Sequence, residues 1–287
     1  MMLLNPQSVS PKTLVSGEDN EDLDPEKIAR RRRMAQTILL PILAIFFLGL
    51  MWEAYSHRPG VTLPGPVQTV TESWDYIAHP FFDHGANDVG LGWQLLSSLE
   101  RVGTGYALAA FFGVAIGILL GKSVMAYRAF DPIFQVLRTI PPLAWLPLSL
   151  ATFNRADPSA VFVIFITAIW PIIINTSVGV MRIPRDYENV AQVYRITGPR
   201  YFFRVLMPAA SPYIFTGLRI AIGMAWLAIV AAEMLTGGVG IGFFIWDSWN
   251  SSKLPDIIVS VVYVGMVGLV LDRAVATLAR VFGTRLD

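Results

Sequence analysis

The chain has 287 residues, of which 54% are hydrophobic and only 15% charged, with a mean hydropathy of +0.54 and a net charge of +1. A soluble domain carries about a quarter charged residues, so this composition points to a lipid bilayer. It excludes a nucleic-acid binder, because the arginines are scattered among apolar runs instead of forming one basic face. The complete lack of cysteine excludes disulfides and thiolate metal sites.

Residues 1–36 read as a polar cytoplasmic tail. The acidic stretch "GEDNEDLD" (17–24) has the composition of a disordered segment. Arg30, Arg31, Arg32 and Arg33 follow, and by the positive-inside rule they hold the N-terminus in the cytoplasm. The apolar run 37–52 comes after too much polar sequence, and without a small-residue cleavage site, to be a secretory signal, so it is expected to be a retained span. Further runs of about 20 residues cover 102–120, 130–153, 159–181, 209–235 and 257–278. A lipid-exposed backbone must satisfy its own hydrogen bonds. The expected fold class is therefore an all-α membrane protein, with six transmembrane helices over residues 37–281 and a short cytoplasmic tail at 282–287.

With the N-terminus inside, Lys122, Arg128, the arginines of 182–204, Arg280 and Arg285 fall on the cytoplasmic side, whereas Arg58, Arg101, Arg155 and Lys253 fall outside. Charge asymmetry is independent of hydropathy, so it supports the spans. Residues 57–99 are then external, with a proline-rich entry "LPGP" and no room for a second globular domain. His57, His79 and His84 lie there at no metal spacing.

No catalytic constellation emerges. "GILLGKS" (117–123) has one residue too few between its glycines for a phosphate-cradling loop and ends a span instead of following a strand. "GGVGIG" (237–242) misses the dinucleotide spacing and reads better as a tight external turn. Neither paired carboxylates nor a Ser/His/Asp set share a site, so the chain is not expected to be an enzyme.

The cytoplasmic connection 182–208, between the fourth and fifth spans, is far longer than the usual ~2–8 residues. Residues 186–196 can form a short helix and 200–207 another, with Thr197 and Gly198 at the break and Pro199 suited to a first turn. Tyr194, Ile196, Phe202, Phe203, Val205 and Leu206 give an apolar side; Arg195, Arg200 and Arg204 give a cationic one. The residues alone leave two readings open: an interfacial hairpin on anionic lipid, or a docking element for a soluble partner.

The stretch "NVAQVYRITGPRYFFRVLMPAASPYIFTGLR" (189–219) resembles the coupling-loop signature of permease subunits of bacterial ABC importers, E-A-A-x3-G-x9-I-x-L-P. Anchored on Pro208, the closing I-x-L-P falls on residues 205–208, the opening triplet on Asn189, Val190 and Ala191, and the glycine on Arg195. Asn189 and Arg195 depart from the pattern. "RTIPPLAWLPL", "PIIINTSVGV", "GLRIAIGMAWLAIVAAEM" and "GGVGIGFFIWD" resemble the nitrate, sulfonate, taurine and bicarbonate branch of that family, and the run 228–250 is most similar to nitrate/nitrite permeases.

The resemblance implies a permease domain in the bacterial cytoplasmic membrane, paired as a homodimer, loaded by an external substrate-binding protein and driven by cytoplasmic ATPase subunits. ATP and Mg would sit on those subunits, with no cofactor in this chain. The coupling residues it implies are Asn189, Ala191, Val193, Tyr194, Arg195, Ile196, Gly198, Arg200 and Pro208. ATPase closure would drag the docked segment and, through Pro208, tilt the fifth span.

For the substrate pathway the candidates are Arg138, Pro142, Trp145, Arg219, Trp226 and Glu233. Intramembrane ionisable residues are the default suspects, and a cation in a low-dielectric pore offsets an anion's lost hydration. The alternative is that Arg138 and Arg219 snorkel to the cytoplasmic interface. Glu233, near the outer end of the fifth span, would repel an anion, so an ion pair or a contact with the delivering protein fits it better. Pro141, Pro142 and Pro147 interrupt one span, which is tolerated where a cavity or a moving helix is built. A bicarbonate, cyanate or alkylsulfonate permease is the alternative in the same branch. An ion-coupled secondary transporter, which often has repeated halves, and a passive channel are the alternatives outside it.

Overall fold

The computed structural model describes residues 25–85 and 88–283. Apart from one isolated bridge between Asp83 and Val89, the described residues contain only helices and the loops that join them. The chain divides at Pro66 into two units.

The first unit is helix α1 (Pro25–Ser56) and the turn after it. Leu39, Ile42, Ile45, Phe46, Leu48 and Met51 are all exposed around it. A helix apolar on every side suits lipid, not water. α1 starts twelve residues before the expected span, so residues 25–36 of the tail are helical, whereas the acidic 17–24 stretch lies outside the described residues.

The second unit opens with the short helices α2 (Pro66–Glu72) and α3 (Trp74–Ala78). α4 (Leu91–Gly121) follows. α5 (Val124–Leu137) and α6 (Pro142–Phe153) meet at a bend of 93°. α7 (Ala156–Met181), α8 (Arg185–Val193) and α9 (Gly198–Tyr201) come next. A π-helical turn, Phe202–Leu206, runs into α10 (Met207–Thr236), and α11 (Ile241–Asn250) and α12 (Leu254–Gly283) complete the unit. Five helices, with the bent α5–α6 pair as a sixth element, are long and apolar enough to cross a membrane.

Three boundaries differ from the sequence reading. α4 begins eleven residues early, because Leu91, Gln94, Leu95 and Ser98 are buried at its N-terminal end and keep the helix wound beyond the apolar run. The third span is two helices, not one: Pro141 and Pro142 cannot donate to the preceding turn, and the chain bends there. α11 takes the last two residues of the expected turn 237–242 and continues to Asn250, where no element is expected; Ile241, Phe244 and Ser248 recur at helical spacing and are buried.

Glycine contacts fix the topology. Gly105 packs on Ile164, Gly113 on Ile172, Gly117 on Thr176 and Gly121 on Val180, a constant offset along both helices, so α4 and α7 run parallel with their backbones close. Gly117 of the "GILLGKS" stretch is thus spent on helix packing. A parallel pair requires that the chain between them recross the membrane, so α5–α6 counts as a span and the ends Gly121 and Met181 share one side. α10 runs antiparallel to both: Gly179 meets Tyr213, Gly217 meets Asn175, and Tyr106 Oη donates to the Leu218 carbonyl at 3.0 Å. α12 returns beside α10, where Trp226 Nε1 donates to the Val264 carbonyl at 3.0 Å. The core formed by Val102, Ala109, Ile164, Ile172, Ala225 and Ile229 lies among these helices.

Candidate functional site

The long connection after Met181 joins α7 to α10. α8 ends in a Schellman arrangement: the Ile196 amide donates to the Ala191 carbonyl at 2.8 Å and the Arg195 amide to the Gln192 carbonyl at 3.0 Å. The residue between helix and return must be left-handed, and it is Arg195, with φ of 51°. That is the position where the importer signature carries glycine. Gly198, with φ of 60°, turns the chain into α9, and Pro199 sits in its first turn.

α8 has two faces. Ala191 is buried and, with Ile196, Val205 and Pro208, lines a cavity of about 300 Å³ between α8 and the start of α10. Tyr187 and Val190 border the same cavity and, with Val193 and Tyr194, form an exposed stripe, with Val193 80% and Tyr194 74% exposed. Asn189, Arg195 and Arg200 are exposed as well. The expected coupling residues therefore separate into those that seat the element (Ala191, Ile196, Pro208) and those that face away from it. Leu206 and Ala210 pack with Ile118, Val180 and Ile214, which welds the return to α4, α7 and α10.

The opposite end of the bundle holds a buried charge that the sequence flagged only by one partner. Glu233 is 1% exposed and accepts from Arg101 Nη1 at 2.7 Å, Ser98 Oγ at 2.8 Å and the Gly242 amide at 3.1 Å. Arg101 also donates to the Val239 carbonyl at 2.8 Å and to Asp157 at 2.9 Å. The Gly240 amide donates to Gln94 Oε1 at 2.6 Å and the Ile241 amide to Ser98 Oγ at 3.0 Å. A side chain at Gly240 would run into the Glu233 carboxyl, and one at Gly242 into the Val230 carbonyl. The glycine-rich stretch is thus a loop strapped by its backbone to α4 and α10. Arg101, inside α4 and one residue before the apolar run 102–120, gave no sequence signal beyond its charge.

The remaining pathway candidates scatter. Trp226 is 3% exposed and ties α10 to α12, so it is an interhelical anchor in this structure. Trp145 is half-buried against the cluster of Leu146, Val163, Ala228 and Ala232. Arg219 is held by both oxygens of Asp272 on α12, at 2.6 and 2.8 Å, so its charge is compensated within the chain. Arg138 closes α5 at the bend, Pro142 starts α6, and among the described residues no carboxylate pairs with Arg138. No group of three or more metal-ligating side chains occurs among the described residues.

Residues 113–287 match the family described as the binding-protein-dependent transport system inner membrane component. The chain is 61% identical over 237 residues, 83% of its length and 85% of the relative's, to the nitrate import permease protein NrtB of Leptolyngbya laminosa. It is 57% identical over 241 residues, 84% and 88% of the two lengths, to that of Synechocystis. The bicarbonate transport system permease protein CmpB of Synechococcus elongatus is 49% identical over 259 residues, 89% and 93%. Among solved structures, the inward-facing MetNI methionine ABC transporter superposes with a TM-score of 0.55 at 16% identity, over 66% of this chain and 96% of that one, which shows a common fold. Six membrane-crossing elements, a family match over more than half the chain and relatives this similar lead to one conclusion: the chain belongs to the family of binding-protein-dependent transport system inner membrane components, as a multi-pass transport subunit.

Proposed function

We propose that the chain is the permease subunit of an ATP-driven importer for a small inorganic anion, nitrate or nitrite, working as a homodimer with its N-terminus in the cytoplasm. The observation that carries the coupling half of this reading is the exposed stripe of α8, Tyr187, Val190, Val193 and Tyr194, beyond the end of the membrane helices. Aromatic and arginine side chains are the usual anchors of protein interfaces, and a groove on a cytoplasmic ATPase subunit would cover them. Asn189, Val193, Tyr194, Arg195 and Arg200 would contact that groove, while Ala191, Ile196, Gly198 and Pro208 hold its counterpart in shape. ATP and magnesium belong to the ATPase in this reading, and an external binding protein delivers the substrate. Identities of 61% and 57% to nitrate permeases, against 49% to a bicarbonate permease, support nitrate over bicarbonate.

The test is uptake of labelled nitrate into vesicles that contain this chain, its ATPase and its binding protein. Nitrate uptake that needs ATP and resists excess bicarbonate is expected. Uptake without ATP would return the chain to the secondary-transporter or channel readings, and ATP-driven uptake of bicarbonate alone would reassign the substrate. Replacing Tyr194 with alanine and Arg195 with glutamate together should release the ATPase without unfolding the permease.

A further inference from the structure

An anion permease must hold its substrate somewhere in the low-dielectric region, and two cavities compete for that role. An outer cavity of about 790 Å³ is lined by Glu72, Asp75, Asp88 and Asp256 against Lys253. Four carboxylates give it the wrong sign. The other, of about 260 Å³, lies at the α5–α6 bend and is lined by Arg138, Thr139, Pro171, Asn175, Ile220 and Met224. At ~30 Å³ per water molecule it has room for a small oxyanion with several waters.

Depth, sign and donors agree on the second cavity. Pro171 and Asn175 lie ten and six residues before the inner end of α7 at Met181, which places the cavity about 9–15 Å inside that end at ~1.5 Å per residue. No carboxylate lines it. Arg138 brings a positive charge that no carboxylate among the described residues pairs with, in contrast to Arg219, whose charge Asp272 takes up. Asn175 Nδ2 donates one hydrogen to the Pro171 carbonyl at 2.8 Å and keeps its second. The Thr139 hydroxyl is committed to the Val136 carbonyl at 2.7 Å and serves as polar wall. The N-terminal end of α6, Pro142–Phe153, adds the positive end of a helix dipole at the break.

We propose that the bend between α5 and α6 is an intramembrane anion site, in which the Arg138 guanidinium and the Asn175 amide hold a planar oxyanion such as nitrate or nitrite on its way through. The proposal rests on the anion-permease reading above. It makes the pair of prolines part of the site: without the bend, Arg138 would continue the α5 helix instead of lying beside α7 and α10.

The experiment is labelled nitrate uptake per assembled complex, in vesicles holding the full complex with ATPase and binding protein, for wild type, Arg138→Gln, Arg138→Lys and Asn175→Asp. Binding-protein-stimulated ATP hydrolysis is measured alongside. Arg138→Gln and Asn175→Asp are each expected to lower uptake about tenfold or more while hydrolysis and assembly persist, and Arg138→Lys to keep most of it, since the charge is what the site requires. Wild-type uptake by Asn175→Asp or Arg138→Gln would overturn the site while leaving the permease reading intact. A loss in Arg138→Lys equal to that in Arg138→Gln would also overturn it. A wild-type complex that carries no nitrate would remove the permease reading and the site together.

Discussion

Replacing Glu233 with alanine should unstrap the loop before α11, and the structure sets the size of the effect. The Gly242 amide and Arg101 Nη1 lose an acceptor that sits 3.1 and 2.7 Å away, inside a site where Glu233 is 1% exposed. The amide, left without that acceptor, should cost ~1–3 kcal/mol. Ser98 can turn its hydroxyl to the Gln94 carbonyl at 3.1 Å, so its share is small. Arg101 keeps Asp157 and the Val239 carbonyl, which pulls the charge contribution toward the low end of the ~3–5 kcal/mol seen when a buried pair loses one member. Together the loss comes to about 4 kcal/mol. Glu233→Gln retains an acceptor for the amide but turns an NH₂ toward the guanidinium, so it should cost about half as much.

Hydrogen exchange in lipid nanodiscs reads this directly, because the amides of Gly240, Ile241 and Gly242 all donate to side chains of the network. A loss of about 4 kcal/mol corresponds to roughly thousandfold faster exchange in that loop. Glu233→Gln should fall between alanine and wild type. Asp157→Asn should change little, because that carboxylate is 65% exposed. Unchanged protection of the loop in Glu233→Ala, or a larger effect from Asp157→Asn than from Glu233→Ala, would refute the reasoning.

Other perturbations test other parts of the fold. Arg195→Gly should stabilise the turn after α8 by about 1 kcal/mol, because glycine adopts the left-handed φ of 51° without the Cβ clash; a melting temperature that falls would contradict it. Arg219→Asp should impair assembly in the membrane and the double swap with Asp272→Arg should restore it, measured as the yield of intact complex, since the two side chains bind each other through both oxygens. Burial, then the negative charge of Asp256, pushes the Tyr76 phenol above its ordinary range of about 10. The folded chain therefore holds that proton more tightly than the unfolded one, and stability falls as pH climbs through and beyond that range. Tyr76→Phe should flatten this alkaline loss in a pH series of melting curves and leave pH 7 unchanged.

Spans were legible wherever apolar length alone decides, because a bilayer demands ~20 such residues and little else. The inner connection was legible for a different reason: Pro199, Gly198 and the arginines punctuate it locally, and helix ends are local events. What escaped lies in contacts between residues far apart in the chain. Nothing in "LGWQLLSSLERVG" says that Gln94, Ser98 and Arg101 will serve a loop near residue 240, so α4 looked shorter than it is. Nor could proline content tell a kink from the full 93° bend between α5 and α6, after which α6 packs through Leu146 on α7 and α10. Arg219 and Arg138 looked alike as intramembrane cations, and only the position of Asp272, one helix away, separates them.

The packing of α10 also bears on how a pull on α8 could travel. α10 makes its most extensive contacts with α7, and it is tied to α12 through Trp226 and Arg219 and to α4 through Tyr106 and Glu233. These ties are spread along its length, from Leu218 to Glu233, and several are buried. A tilt of α10 alone, the movement that Pro208 suggested at first, would have to break all of them at once. Close-packed interiors do not deform in that continuous way; they move as bodies with two discrete arrangements. α8 is seated through Ala191 and Ile196 and the return through Leu206, on the same α4–α7–α10 body. Force applied to the exposed stripe should therefore rotate that body as one piece, and α6 goes with it, since Leu146 packs on Val163 of α7 and on Ala228 and Ala232 of α10; α5, which touches α4 and α7 only sparsely, is the element left to shift against it. The bend that carries Arg138 would then open and close as the bundle turns, which places the proposed anion site at the seam between the parts that move.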